Sequence, residues 1–294
     1  MKNYKIYIST IFTLLFLGAW SNLANAAACD ADGTAAAPMT VAGCDTAPDI
    51  YKTMVFEMGL CTTTPTLANR TTACTSVSSI PAGAVIEVAK GIETGIPGNF
   101  TRPVNASYTH GYVIMAPEFR LTATKTFSSN LSGQSNTAGD TCWTLAGSTR
   151  DSNVATAYDG ATPTVISATR STWLADCGTA ASAAPAETII IQDAFGGDTI
   201  ESGNGDATAE ATVNGVTIKA HLTDDTMAAN ATTSASVTRL VGFVTFATPV
   251  AITDATSTFT ASFRTTQGME LDPTGGGDLK KMSSGPFVLS ITVN

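Results

Sequence analysis

FRLTATKTF, residues 119–127, sets the fold class. Phe119, Leu121, Ala123 and Lys125 fall on one side of an extended chain, and Arg120, Thr122, Thr124 and Thr126 on the other. Successive side chains of a strand point to opposite faces, so a period of two reads as a half-buried β-strand. A helix would scatter the same residues around its axis.

The flanking segments repeat this texture. Residues 107–115 (SYTHGYVIM) alternate aromatic and polar positions and then turn wholly apolar, as a strand entering a sheet interior does. Upstream, residues 49–60 (DIYKTMVFEMGL) lead into Cys61, and residues 84–89 (AVIEVA) stand between Pro81-Ala82-Gly83 and Gly91. Downstream, residues 187–191 end in consecutive isoleucines, and residues 209–222 (AEATVNGVTIKAHL) place Asn214-Gly215 between Val213 and Val216, a strong hairpin signal. Residues 237–246 (VTRLVGFVTF) and 259–264 (FTASFR) follow, and the chain closes on Phe287, Leu289, Ile291 and Val293 separated by Val288, Ser290 and Thr292.

After residue 26 no helical pattern of ten or more residues is present, so the expected class is all-β, as one or two antiparallel β-sandwich units. In general look the chain resembles Ig-like, transthyretin-like and pilin-like β modules, with an Asn-Gly turn ahead of a strand. That likeness concerns fold and carries no function. Between residues 128 and 186 the regularity fades into Ser, Thr, Ala, Gly and Asp. This stretch reads as a long insertion closed by Cys142 and Cys177, with short strands near residues 164–167 and around Trp173. The expected organisation is a signal peptide (1–26), an N-terminal β unit (27–127), the insertion (128–186) and a C-terminal β unit (187–294), or one domain over 27–294.

Lys2 and Lys5, then Ile11, Phe12, Leu14, Leu15, Phe16 and Leu17, then Ala24-Asn25-Ala26, follow the order of a secretory signal peptide. The apolar core is shorter than the roughly 20 residues a membrane anchor needs. Cleavage is expected after Ala26, giving a secreted, cell-surface or periplasmic protein with no membrane span. An exported chain with six cysteines implies disulfides, and short loops close most readily, so the expected pairs are Cys29–Cys44, Cys61–Cys74 and Cys142–Cys177. No pair has the C-x₂₋₄-C spacing of a metal site.

A net charge of −9 excludes nucleic acid and anionic membrane surfaces as partners. At 13% charged residues the surface rests on Thr, Ser, Asn and Gly, and tolerates packing against neighbours. His110 and His221 lie in strand-like segments with no nucleophile elbow, zinc helix or phosphate loop to accompany them. The carboxylates Glu57, Glu87, Glu93 and Glu118 are scattered, so no enzyme is expected. Trp143 and Trp173 flank the insertion and form a candidate stacking platform for a glycan or other ligand, against the commoner fate of core tryptophans. Asp193, Asp198, Glu201 and Asp206, with Asn204 and Glu210, stand among glycines as a calcium candidate, the only cofactor considered, against a solvated acidic loop.

The expected function is an exported structural protein, such as a filament or coat subunit, whose partners are copies of itself or other surface proteins. A secreted glycan- or ligand-binding adhesive module is the alternative, and an extracytoplasmic hydrolase comes third. Phe287, Leu289, Ile291 and Val293 form the expected assembly strand, since no lysine, proline or charge interrupts residues 287–294. Lys280 and Lys281 precede it as gatekeepers. Such a strand completes its own sheet or a neighbour's.

Overall fold

In a computed structural model of the chain, the described residues are 27–28, 44–96, 98, 100–149, 152–156, 164–168, 171–180, 185–191, 194–195, 198–199, 208–213, 216–224, 237–273 and 278–293. They are nearly all β, arranged in several sheets.

The largest sheet runs in the order β16 (Thr208–Val213), β17 (Val216–Thr223), β18 (Arg239–Ile252), β6 (Ala106–Thr122), β13 (Thr188–Ile191) and β9 (Gly147–Ser148). On the other side of β6 lie β3 (Ile50–Cys61) and then β4 (Cys74–Ala89). A three-stranded sheet is ordered β22 (Val288–Val293), β19 (Phe259–Arg264), β5 (Thr94–Gly95), and another β12 (Ala175–Gly178), β8 (Ala138–Thr144), β7 (Thr124–Ser132). A four-stranded sheet is ordered β1 (Ala27–Ala28), β2 (Cys44–Thr46), β20 (Met269–Pro273), β21 (Leu279–Ser284). Two pairs remain, β10 (Ser152–Thr156) with β11 (Thr164–Ala168) and β14 (Ala194–Phe195) with β15 (Asp198–Thr199). The helix α1 (Arg70–Ala73) is a single turn.

The wholly apolar end of residues 107–115 has its reason in burial on both faces of β6. Val113, Met115, Phe119 and Leu121 face the main core with Tyr51 and Val55 of β3. Phe287 and Phe263 enter that core from the β22-β19-β5 sheet: Phe287 lies 6.3 Å from Tyr51, 6.0 Å from Phe119 and 5.3 Å from Phe263. On the opposite face Tyr112 and Ile114 pack with Val241 and Phe243 of β18, and Phe56 and Leu67 lie against them. A strand covered on both sides has no polar face to alternate with.

The alternation of residues 119–127 is real but belongs to two strands. Phe119, Leu121, Ala123, Lys125 and Phe127 are all buried. At Ala123 the chain leaves the large sheet at the end of β6 and enters β7 of another. Asp49 pins the crossing: its N–H donates to the Thr122 carbonyl at 3.0 Å, and the Thr124 N–H donates to its Oδ2 at 2.7 Å.

Residues 128–186, where described, hold the strand expected near 164–167 as β11 (Thr164–Ala168) and further strands beside it. They carry the rest of β7 and β8 to β12. Leu131, Cys142, Leu174, Ala175 and Cys177 join the main core. Small residues hide this regularity and also permit it: a Cβ on Gly139 would stand 1.9 Å from the Gly178 backbone. Close approach therefore replaces the bulky alternation that a sequence pattern detects.

The disulfides Cys61–Cys74 and Cys142–Cys177 are formed, each between directly paired residues of neighbouring strands. Cys44 is also disulfide-bonded; Cys29, its expected partner, lies outside the described residues. No helix among the described residues is long and apolar enough to cross a membrane.

Candidate functional site

β22 runs antiparallel to β19, with Leu289 opposite Phe263, Ser290 opposite Ser262 and Thr292 opposite Thr260. Phe287, Val288 and Leu289 are buried, Ile291 and Val293 pack half-buried on the core, and Thr292 is exposed. On its outer side β22 pairs with no strand among the described residues. On the polar side of this sheet the Ser262 hydroxyl donates to Glu93, and Arg264 Nη2 reaches Glu93 Oε2 at 3.0 Å. These two donors, Ser262 first, hold the Glu93 carboxyl below its ordinary range. The sheet therefore carries a local charge balance on an acidic chain.

The other outer strands of the core-building sheets are short or guarded in ways known to discourage pairing. β1, β5 and β9 have two residues each. β4 is interrupted by Pro81 and by Gly83, whose φ is +76°. β21 carries Lys280 and Lys281, β12 carries Asp176, β16 carries Glu210, and β7 carries the inward-pointing Lys125 together with a shift of register between Thr126 and Leu131. β22 has no charge, proline, glycine or bulge.

The remaining sequence candidates are dispersed. His110 sits on β6 opposite Cys61 and Thr245, its Nδ1 2.8 Å from the Thr109 hydroxyl, and burial lowers its pKa. His221 on β17 meets the Phe243 ring edge-on at 5.5 Å. Trp143 lies on β8 opposite Asp176, with its ring against Gly178, and Trp173 precedes β12; both are half-buried. Of the acidic cluster, Asp198 falls in β15, while Asp193, Glu201, Asn204 and Asp206 lie outside the described residues. Among the described residues no group of three or more metal-ligating side chains comes together.

Besides Glu93, the scattered glutamates join two further polar networks. Glu57 accepts from the Tyr112 hydroxyl at 2.5 Å and from Arg70 at 3.2 Å, and the Arg70 guanidinium stands over the Tyr112 ring. Glu118, 1% exposed, pairs with Arg120 at 2.8 Å; Arg120 and Lys52 both reach Glu187, at 3.2 and 3.0 Å. Each of these carboxylates is matched to a cation, as buried or half-buried charges commonly are.

Two buried ionisable groups escape the sequence patterns that mark sites. Asp45 of β2 stands directly opposite Glu270 of β20; burial, with Glu270 adding, pushes its pKa up to about 7. Lys125, 3% exposed, donates to the Ala47 carbonyl and lies 4.0 Å from Asp49 Oδ1. Burial first and Lys90 second push its amine down to about 8. Its place on the apolar side of residues 119–127 was the available signal. Comparison of the chain with protein-family models, curated proteins and solved structures finds no match.

Proposed function

We propose that this chain is an exported structural protein of the cell surface or extracellular space that self-associates as a filament or coat subunit. In this reading the large sheet and β22-β19-β5 are the two layers of a β-sandwich, and β22 is the assembly strand. The observation that carries it is the unguarded outer edge of β22, whereas among the described residues the other outer edges of the core-building sheets are short, charged or broken. An added strand satisfies the free backbone groups of such an edge, whereas a charge or proline there repels one. The Cys61–Cys74 and Cys142–Cys177 disulfides fit an oxidising, extracellular setting.

Electron microscopy and sedimentation of the purified mature protein test the proposal. Ordered assemblies that disappear when a lysine is placed at Thr292 are the expected result. A protein that stays monomeric at every concentration sinks the assembly reading.

A further inference from the structure

Lys125 is nearly inaccessible, yet among the described residues its nearest acid oxygen, Asp49 Oδ1, is 4.0 Å away, its hydrogen bond goes to a neutral carbonyl, and Lys90 adds a like charge. A buried ammonium so weakly compensated is unfavourable, and a desolvated lysine beside another cation becomes a nucleophilic amine. Asp49 is fixed in front of it. The Asp49 N–H is bonded to Thr122 at 3.0 Å, its carbonyl accepts from the Lys90 N–H at 2.9 Å, and its Oδ2 accepts from the Thr124 N–H at 2.7 Å. The oxygen facing Lys125 is Oδ1.

We propose that Lys125 and Asp49 become joined by an intramolecular amide between Nζ and Cγ, a covalent tie between the entrance to β3 and strand β7. One ammonium proton passes to Asp49 Oδ1, and the Nζ lone pair so freed adds to Cγ. Oδ2 carries the oxyanion of the tetrahedral stage against the Thr124 N–H and returns as the amide carbonyl. Oδ1 receives a second of the three ammonium protons, its bond to Cγ breaks, and it leaves as water. No oxidant or co-reactant enters, and the product removes both charges from a buried site. Groups held this way react as though at very high concentration, roughly 10⁵–10⁸ M in well-oriented intramolecular cases.

Mass spectrometry of the full chain purified from its native compartment decides the matter. The expected mass is that of the disulfide-bonded mature sequence less one water, with a peptide map joining residues 49 and 125. Lys125→Arg and Asp49→Ala should each restore the missing water. If Lys125→Arg does not accumulate as folded protein, Asp49→Ala decides alone, because Asp49 is only half-buried. A wild-type mass with no water missing overturns the cross-link, as does a loss that maps elsewhere or survives in Asp49→Ala.

Discussion

Among the described residues β4 and β22 both end a sheet, and they end it in opposite ways. β4 is 16 residues long and would be a dangerous template for pairing, but Pro81 lacks an N–H and Gly83 at φ +76° turns the backbone out of register. Its partner strand records the break: the register with β3 shifts between Val55 and Glu57. β22 is six residues long, keeps unbroken register with β19, and has no such device. An edge can thus be closed by backbone chemistry or left open, and the composition of the strand states which.

The largest test of this contrast removes what anchors β22 rather than its edge. Phe287 is 8% exposed and meets Tyr51, Phe119 and Phe263. Phe287→Ala should destabilise the monomer by about 3–5 kcal/mol, read as a lower denaturant midpoint. A loss below about 1 kcal/mol would mean that β22 is not seated in the core as described.

A pH titration addresses the same anchor from the other side. The turn into β22 passes Asp45: a Cβ on Gly285 would lie 3.1 Å from Asp45 Oδ1. The folded Asp45 pKa, about 7, exceeds the ordinary 3.8, so the folded state holds the proton more tightly than the unfolded chain. Its contribution therefore favours folding most below pH 4, declines as pH rises to about 7 and is level above that, a swing on the order of 4 kcal/mol. Asp45→Asn should flatten this part of the pH–stability curve and raise stability at pH 8. An unchanged slope in the variant assigns the pH dependence to other groups.

On the guarded side, Gly83→Ala should cost about 2 kcal/mol. A positive φ disfavours any Cβ by roughly 1–2 kcal/mol, and this one would fall 2.5 Å from Met54 Sδ. Thermal unfolding measures it; an undiminished midpoint would show that the backbone at Gly83 is free to change.

These two edges also mark how far the sequence could be read. The 259–264 strand and the terminal alternation were legible because bulky apolar residues recur at period two, and Pro81 and Gly83 were legible as breakers. The handover at Ala123 was not, since the inside–outside rhythm passes unbroken from β6 into β7 and a period says nothing about which sheet a strand joins. Within residues 128–186 the Cys142–Cys177 bridge and the strand near 164–167 were legible, but β8 was not, because Gly139 and Gly178 bring strands together by being small, and smallness leaves no hydrophobic pattern. The Lys125–Asp49 approach was half visible: Lys125 stood on the buried side, but a partner 76 positions away is fixed only by the crossing of sheets.

The smallest effect on stability carries the most about function. Thr292 is exposed and faces the equally exposed Thr260 of β19. Thr292→Lys should therefore change monomer stability by no more than about 0.5 kcal/mol. The lysine gives β22 the same protection that Lys280 and Lys281 give β21, so association should fall while folding does not. Deleting the whole strand cannot make this distinction, because Leu289 is 2% exposed and its loss opens the core. Sedimentation of the wild type and the variant at matched concentration separates the outcomes. If both assemble equally, contacts between copies lie elsewhere on the surface and β22 is simply the last strand of its own sheet.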